Sequence, residues 1–397
     1  MAIRNLTEID VKGKRVIVRF DYNVPLDEHQ NITNEKRIVT SLPTIRYIRR
    51  KGAKVILMSH IGRPKGKVIP EKSLAPVAAS LSKYLGIEVK LAPDCIGPEV
   101  EGLVDAMSPG DVVLLENLRF HKEEQENDPE FAQKLARLGD IYINDDFGAA
   151  HRAHASIVSI TSNIDTVGWG FLLQKEIEYL QRIVDSPKRP FVAIIGGAKI
   201  FDKIEAIRAL LYKADALLIG GAMTYTFFKA MGLEIGKSLY EPDKINLAAE
   251  VIATSETSKC ELLLPVDCMI ASAFDKDAER KYVDREAIPA DWLSPDIGPR
   301  TVKLFRSKIK SAGTVVWNGP MGAFEIEPFG CGTRAIAEAM TEVTRAGTVT
   351  IVGGGESSAA ISRYGMEEEM SFISTGGGAL LELLGWKLLP GVKALER

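Results

Sequence analysis

The chain alternates short apolar segments with longer amphipathic ones, separated by breaks rich in glycine or polar residues. The apolar segments are rich in β-branched residues and predict strands at Arg15–Phe20, Lys54–Ser59, Asp111–Leu115, Asp140–Asn144, Phe191–Ile195, Ala216–Ile219, Glu261–Pro265, Thr314–Trp317 and Thr348–Val352. Their apolar positions are continuous, which is typical of strands buried on both faces of a parallel sheet. The stretches Pro129–Leu138, Asp202–Lys213 and Thr333–Ala346 fall between strands and predict helices. Repeated βα units therefore predict an α/β fold with two doubly wound parallel-sheet (Rossmann-like) domains.

The connection between the two domains is expected near the middle of the chain. Residues 171–184 carry apolar side chains at roughly helical spacing, and Pro187 and Pro190 follow them. Proline cannot continue a helix, so this helix is expected to end before the two prolines. We therefore expect an N-terminal domain at residues 1–170, a connector helix at 171–185 and a C-terminal domain at 186–385.

Composition and charge restrict the class of protein. The 397 residues are 46% apolar and 26% charged with a net charge of −3, so there is no basic excess that would favour a nucleic-acid or membrane-surface partner. The four cysteines lie far apart without a CxxC pair, which argues against a zinc site or a disulfide framework. The N-terminal segment has no apolar signal region, and no apolar run approaches the ~18 residues of a membrane span. These features predict a cytoplasmic protein.

Cationic and hydrogen-bonding side chains follow the strands of the first half of the chain. They are Asp21, Asn23, His60, Arg63, Arg119, His121, His151, Arg152 and His154. Ligands of open α/β sheets bind beyond the carboxyl ends of the strands, and arginine suits carboxylate and phosphate oxygens. We therefore expect an anion-binding site at this edge of the first sheet. Two alternatives are solvated surface charges and a metal site at His151 and His154, which lacks an obvious carboxylate as third ligand.

Glycine follows the strands of the second half instead. The glycine-rich turns are Gly196-Gly197, Gly220-Gly221, Gly319–Gly322, Gly353–Gly355 and Gly376–Gly378. Such turns let backbone N–H groups approach phosphates at a helix N-terminus, although tight βα turns use glycine without any ligand. No turn has the P-loop or the dinucleotide-binding spacing. Five such turns at one sheet edge favour a site for a phosphorylated ligand.

Two lysines and one glutamate refine this second site. Lys199 and Lys203 are four residues apart and are expected to share a face of the helix that follows Gly197. Cations in a first helical turn oppose the helix dipole, so an anion is expected there, unless Asp202 and Glu205 balance the charge. Glu356 follows a triple glycine and either caps a helix or holds Mg²⁺, directly or through water.

Several of these motifs in combination resemble a known family. They are Val18–Pro25, His60–Pro64, Glu116–His121, Ala150–His154, Gly196–Lys203, Trp317–Glu325, Gly353–Ser357 and Ser374–Gly378. In this order they resemble phosphoglycerate kinase, and the match covers essentially the whole chain. The resemblance implies a monomeric, hinge-bending enzyme of glycolysis and gluconeogenesis. Its reaction is the reversible phosphoryl transfer between 1,3-bisphosphoglycerate and ADP-Mg, which gives 3-phosphoglycerate and ATP.

The resemblance also assigns roles to individual positions. The 3-phosphoglycerate positions are Asp21, Asn23, Arg37, His60, Arg63, Arg119 and Arg152. The nucleotide positions are Lys199, Lys203, Gly298, Asn318, Glu325, Gly354, Gly355, Glu356 and Ser357, with Glu356 also facing Mg²⁺. The positions around the phosphoryl group in transit are Arg37, Lys203, Gly376 and Gly377. The family fold also implies that residues 386–397 pack back onto the first domain.

Two departures from the family pattern concern the second site. Glu356 stands where the family usually has aspartate, which changes the distance from the carboxylate to Mg²⁺. Phe201 is bulkier than the family pattern leads us to expect.

Two other classes of protein use similar domains. A dehydrogenase would need a G-x-G-x-x-G turn, which is missing, and a non-catalytic anion-binding protein would not need the glycine-rich second half.

Overall fold

A computed structural model describes residues 3–396 of the chain. These residues form two compact units. The first unit extends to Tyr179 and includes the segment from Leu388 onward, and the second unit is Leu180–Lys387. Among the described residues, no helix has the length and apolar character that crossing a membrane requires.

A six-stranded parallel sheet forms the centre of the first unit. Its strands are β1 (Arg15–Arg19), β2 (Lys54–Met58), β3 (Val89–Leu91), β4 (Val112–Leu114), β5 (Ile141–Asn144) and β6 (Thr166–Trp169). They are arranged in the order β3-β4-β2-β1-β5-β6. The helices of this part are α1 (Lys36–Arg50), α2 (Ala75–Leu85), α3 (Pro98–Asp105), α4 (Lys122–Gln125), α5 (Pro129–Ala136) and the first half of α6 (Phe171–Asp185). In the central strands β1 and β2, Val16, Val18, Val55 and Leu57 are buried in one apolar core, and the intervening Ile17 and Ile56 are buried as well, as the continuous apolar pattern predicts.

The second unit has a parallel six-stranded sheet and a smaller antiparallel one. Its strands are β7 (Phe191–Ile195), β8 (Ala216–Ile219), β9 (Glu261–Leu263), β10 (Asp267–Ala271), β11 (Arg280–Asp284), β12 (Leu293–Ile297), β13 (Thr314–Asn318), β14 (Val349–Gly353) and β15 (Phe372–Ile373). The parallel sheet has the order β15-β14-β13-β7-β8-β9, and β11-β10-β12 form the antiparallel sheet. The helices are α7 (Ile204–Lys213), α8 (Thr224–Ala230), α9 (Ile245–Thr257), α10 (Pro299–Lys310), α11 (Cys331–Arg345), α12 (Gly355–Arg363), α13 (Gly377–Leu384) and, after this unit, α14 (Pro390–Lys393).

The predicted α/β fold with two parallel sheets is confirmed. Every predicted strand is present, with ends that shift by two residues at most. The sequence pattern did not identify β3, β6, β15 or the antiparallel sheet. Helix α6 occupies the region of the expected connector, and the division between the two units falls within it, after Tyr179. The domain limits at residues 170 and 186 stay predictions.

The segment from Leu388 onward packs within the first unit. The backbone N–H of Gly391 donates to the carbonyl of Ala150 at 2.8 Å. A side chain at Gly391 would meet Ile157 Cγ2 at 2.6 Å and the backbone of Ala150 at 3.1 Å, so this close contact favours glycine there. This contact ties the end of the described chain to the loop that follows β5.

A buried ion pair joins β1 to the loop after β5. Arg19 is the last residue of β1, and its Nη1 lies 2.8 Å from Asp146 Oδ2. Both side chains are fully buried. The other oxygen of Asp146 accepts the backbone N–H of Ala149 at 2.8 Å. Burial raises the pKa of Asp146 to about 6, and the Arg19 guanidinium acts against that rise.

We predict that Asp146→Ala destabilises the first unit by about 3–5 kcal/mol, because it leaves the Arg19 charge buried without its partner. Amide hydrogen exchange of β1 and β5 measures the free energy of opening in this unit itself. Asp105→Ala is the control, because its ion pair with Arg15 is exposed and is expected to contribute less than about 1 kcal/mol. Equal stabilities of the two variants would contradict the prediction.

Candidate active site

The loops after β1, β2, β4 and β5 place most of the predicted anion-binding residues at one edge of the first sheet. Because these strands are parallel neighbours, their carboxyl ends lie side by side. Asn23 Oδ1, in the loop after β1, accepts the backbone N–H of Gly62 after β2 at 2.8 Å. Arg119 Nη1, after β4, donates to the carbonyl of Gly62 at 2.9 Å. The three loops are therefore held together at Gly62.

Arg19 contacts several of the residues at this edge, although no sequence pattern indicates it as a site residue. Its Nη2 lies 3.0 Å from His60 Nδ1. Its Nε donates to Ser156 Oγ at 3.0 Å. Ser156 in turn donates to the buried Glu124 at 2.6 Å. Burial and the neighbouring Arg19 charge lower the pKa of His60 well below its ordinary value, so His60 is neutral and presents a hydrogen-bonding ring.

Asp21 brings the start of α1 into the site. The Arg37 guanidinium, in the first turn of α1, forms an ion pair with Asp21 Oδ2. The other Asp21 oxygen accepts the backbone N–H of Asn23 at 2.9 Å. A side chain at Gly148 would meet Asp21 Oδ2 at 2.4 Å, so the loop after β5 also approaches Asp21 closely. Arg37, which only the resemblance selects, is thus joined to the loop after β1 through Asp21.

The positive charges of this site are concentrated. Burial, followed by the charges of Arg19 and Arg152, lowers the pKa of Arg119 to about 10. Burial also lowers the pKa of His151 to about 4 and that of His154 to about 3, with Arg152 contributing in both cases. Arginines that disfavour one another's charge are stabilised by a bound anion, which relieves the repulsion. The electrostatics therefore favour an anion-binding site.

Arg63, which also belongs to the loop after β2, is exposed and directly follows Gly62.

A metal site at His151 and His154 would need a further ligand close to them. Among residues 3–396, the group of potential metal ligands that the structure brings together is Asp94, Cys95 and His121, which includes neither His151 nor His154. His121 Nε2 and Asp94 Oδ1 already satisfy each other at 2.7 Å. The alternative of a metal site at His151 and His154 thus gains no support.

The glycine-rich turns after β7, β8 and β13 border a cavity of about 480 Å³ in the second unit. Its lining includes Gly197, Gly221, Tyr225, Leu239, Phe274, Pro320, Glu325 and Glu356. The backbone N–H of Gly197 donates to the carbonyl of Pro320 at 2.8 Å, and that of Gly221 donates to Met321 at 3.0 Å. A side chain at Gly196 would meet the carbonyl of Pro320 at 2.1 Å. Glycine is required there because backbones from different strands meet in direct contact.

The expected position of the two lysines is wrong. No helix starts directly after Gly197: residues 201–203 form a 3₁₀ turn, and α7 begins at Ile204. Lys203 is the residue before α7, whereas Lys199 lies in the preceding loop and is exposed. The two lysines therefore do not share a helical face. Lys203 Nζ folds back and donates to the carbonyl of Gly196 at 2.5 Å.

Lys203 is half-buried beside the cavity. Burial lowers the pKa of Lys203 to about 8, although the carboxylates of Glu356 and Asp202 act in the opposite direction. A side chain at Gly197 would meet Lys203 Nζ at 3.0 Å and Glu356 Oε2 at 3.8 Å. An ammonium and a carboxylate thus flank the same glycine turn.

The N-termini of α12 and α13 approach each other closely. A side chain at Gly377 would meet Gly354 Cα at 2.7 Å, so the two turns are in backbone contact. Asn318 at the end of β13 is buried, and its Nδ2 has no hydrogen-bond partner within residues 3–396. A buried donor beside two helix N-termini is suited to an anionic ligand. Gly376 immediately precedes α13, where its N–H contacts Ser374 Oγ at 3.2 Å.

The remaining predicted nucleotide residues differ in their positions. Glu325 and Glu356 line the cavity, and Glu356 lies in the first turn of α12. Ser357 is buried, and its Oγ accepts the backbone N–H of Gly319 at 2.6 Å. Gly355 is the first residue of α12. Gly298 precedes α10, where a side chain would collide with Asp267, and it is not part of the cavity lining.

Comparisons with known proteins agree with this geometry. The family model described as phosphoglycerate kinase matches residues 6–387. The cytosolic phosphoglycerate kinase of Triticum aestivum is 54% identical over 395 residues, which cover 100% of this chain and 98% of that protein. The chloroplastic phosphoglycerate kinase 1 of Arabidopsis thaliana is 53% identical, over 100% of this chain and 82% of that protein. The solved structure of phosphoglycerate kinase from Coxiella burnetii matches with a TM-score of 0.84 at 40% identity and covers 99% of both chains.

These matches span both units and leave no support for a dehydrogenase or a non-catalytic anion-binding protein. The chain belongs to the phosphoglycerate kinase family, and its activity is the family's: it is a glycolytic phosphotransferase that uses the carboxyl group of 3-phosphoglycerate as acceptor.

Proposed function

We propose that the two sites divide the substrates of this reaction between them. The first unit binds 3-phosphoglycerate or 1,3-bisphosphoglycerate, and the second unit binds ADP or ATP with Mg²⁺. The observation that carries the proposal is the contrast between the sites. Arginine side chains crowd the first site, whereas glycine-rich turns and the first turn of α12 border the cavity of the second.

In the first site, the anionic substrate is held by side chains. The proposed binding residues are Asp21, Asn23, Arg37, His60, Arg63, Arg119 and Arg152. Arg119 and Arg152 supply positive charge for the phosphate, and neutral His60 supplies a hydrogen bond. Asp21 orients Arg37, and Asn23 ties the loops after β1 and β2 together. We assign Arg37 to the reacting carboxyl group.

In the second site, the nucleotide is held mainly by the backbone. The proposed binding residues are Lys199, Lys203, Gly298, Asn318, Glu325, Gly354, Gly355, Glu356 and Ser357. Glu325 and the apolar lining of the cavity suit the nucleoside, and the N-terminus of α12 suits its phosphates. Glu356 supplies the hard oxygen ligand that Mg²⁺ prefers, directly or through water. When bound, Mg²⁺ neutralises phosphate charge and orients the nucleotide.

The chemical step needs no general base. The glycerate carboxylate is already ionised at neutral pH, so it acts as the nucleophile without losing a proton. The enzyme's task is to position the reactants and to neutralise charge on the group in transit. We assign that task to Arg37, to Lys203 and to the backbone amides of Gly376 and Gly377. A hinge-bending closure that excludes water is required, because hydrolysis of the acyl phosphate would otherwise compete.

We also propose that the enzyme works as a monomer in the cytoplasm, with small molecules rather than nucleic acid or membranes as its partners. The 54% identity of this chain to the cytosolic relative of Triticum aestivum supports a cytoplasmic location. The direct test of the function is a coupled assay of ATP-dependent phosphorylation of 3-phosphoglycerate, with and without Mg²⁺. We expect turnover only with Mg²⁺, and turnover at full rate in a metal chelator would contradict the magnesium proposal.

Arg37→Ala is expected to lower kcat about 10³-fold or more, because it removes a cation that stabilises the transferring group. Steady-state kinetics measures the loss, and circular dichroism checks the fold. Arg50→Ala is the matched control, because Arg50 is exposed at the other end of the same helix. An Arg37→Ala enzyme with a kcat near that of the control would remove the proposed role.

Lys203→Ala is expected to lower kcat about 10²- to 10³-fold while KM for ADP changes little, because its interaction forms mainly in the transition state. Lys213→Ala, at the exposed end of α7, is the control. A change confined to KM would indicate that Lys203 contributes to ground-state binding instead.

Glu356→Gln is expected to raise the Mg²⁺ concentration for half-maximal activity about 10- to 100-fold, because it removes the carboxylate charge from the metal's surroundings. Magnesium titrations at saturating substrates measure this shift. Glu368→Gln removes a charge at an exposed position of the same unit and serves as the control. Identical titrations for the two variants would place Mg²⁺ elsewhere.

A further inference from the structure

The loop that carries Lys203 contains an exposed aromatic residue. Phe201 is 57% exposed, whereas its neighbour Ile200 is fully buried. The family pattern gives no reason for a large side chain at this position. The structure, however, shows what Phe201 contacts, and the contact leads to residues outside the proposed catalytic set.

Glu241 holds the backbone of this loop. Its Oε2 accepts the N–H of Ile200 at 2.6 Å and lies 3.4 Å from the N–H of Phe201. These amides begin a helical segment and have no partner within it, so a carboxylate there acts as an N-cap supplied from a different loop. The backbone N–H of Glu241 itself donates to Thr226 Oγ1 at 3.0 Å, and Thr226 is fully buried in α8. Glu241 is therefore anchored to a rigid helix.

Lys244 holds the side chain of the same loop. Its Nζ lies 4.5 Å from the centre of the Phe201 ring, within the range of a cation–π interaction. Lys244 belongs to the turn that follows Glu241, because its N–H donates to the carbonyl of Glu241 at 3.0 Å. We call Glu241 and Lys244 the clasp. The clasp holds the loop at two points, through the backbone at Ile200 and through the ring of Phe201.

The clasp is connected to Lys203 through one residue. The carbonyl of Ile200 accepts the N–H of Lys203 at 3.0 Å, while the N–H of Ile200 donates to Glu241. From that fixed backbone, the Lys203 side chain reaches back to the carbonyl of Gly196. Movement of Ile200 would therefore shift the origin of the Lys203 side chain.

We propose that the clasp positions Lys203 for phosphoryl transfer, with Glu241 as the main positioning residue and Lys244 as an auxiliary one. This inference rests on the proposed role of Lys203. Neither clasp residue touches the transferring group, so both act through the Lys203 backbone. The contact with Lys244 also gives the bulky Phe201 a function, because the ring supplies a second point of attachment.

Glu241→Ala is expected to lower kcat about 10- to 100-fold with little change in KM for ADP, because a small displacement of a catalytic group costs rate rather than binding. Glu241→Gln keeps an acceptor oxygen and is expected to restore most of kcat. Glu234→Ala is the control, since Glu234 is an exposed partner of Lys229 in the same unit. A normal kcat in Glu241→Ala would overturn the proposal.

The double variant Glu241→Ala with Lys203→Ala separates positioning from general stability. If Glu241 acts through Lys203, the double variant has the kcat of Lys203→Ala alone. Losses that multiply would overturn the clasp, even though the proposed role of Lys203 would stand. If Lys203→Ala by itself keeps its kcat, the proposed role of Lys203 fails instead.

Lys244→Gln provides a test that does not depend on the stability of the Glu241 variants. It removes the cation over Phe201, and we expect kcat to fall about two- to fivefold, the factor that matches an exposed cation–π contact. In Phe201→Ala the ring is already missing, so adding Lys244→Gln is expected to change nothing further. An unchanged kcat in Lys244→Gln, or a further loss in the double variant, would overturn the role of Lys244.

Discussion

The buried guanidinium of Arg19 fixes the geometry on which the first site depends. It reaches His60 after β2, Asp146 after β5 and Ser156 farther along the chain. A buried charge costs several kcal/mol unless its partners are well placed, so these loops have few alternative arrangements. Burial, with the Arg19 charge acting in the same direction, holds the pKa of His60 well below its ordinary value. Most residues proposed to bind the acid substrate thus lie on loops whose positions depend on contacts with Arg19.

The turns of the second site are held in position by close backbone contacts rather than by a buried charge. Its turns bring backbones into contact where no side chain fits, as at Gly196 against Pro320 and at Gly377 against Gly354. The N-terminus of α12 then presents amides and a positive dipole end beside the cavity. Phosphates vary little in shape, so fixed backbone donors suit them. Lys203 is a long cation held close to these turns, and the contacts of Glu241 and Lys244 with its loop support it.

The sequence allowed the parallel strands to be predicted because continuous apolar runs identify strands buried on both faces. It did not reveal β3, which has only three residues, or β11, whose side chains are largely exposed and polar. Arg19 is a strand residue whose partner, Asp146, lies far along the chain, so no local pattern distinguishes it. Arg37 came from the resemblance alone, since its ion pair with Asp21 joins a helix start to a distant loop. The start of α7 was placed too early because Phe201–Lys203 forms a 3₁₀ turn before the α-helix begins.

The contact between Gly391 and Ala150 bears on how the protein folds during synthesis. The loop after β5 carries Arg152. The carbonyl of Ala150 in this loop accepts a hydrogen bond from Gly391, which is synthesised more than two hundred residues later. Domains generally fold as they leave the ribosome, beginning with the N-terminal one. The first unit can therefore collapse early, yet this loop acquires its last partner only after the entire second unit has been translated. The hydrogen bond from Gly391 to the Arg152 loop is thus among the last contacts of the first unit to form during synthesis.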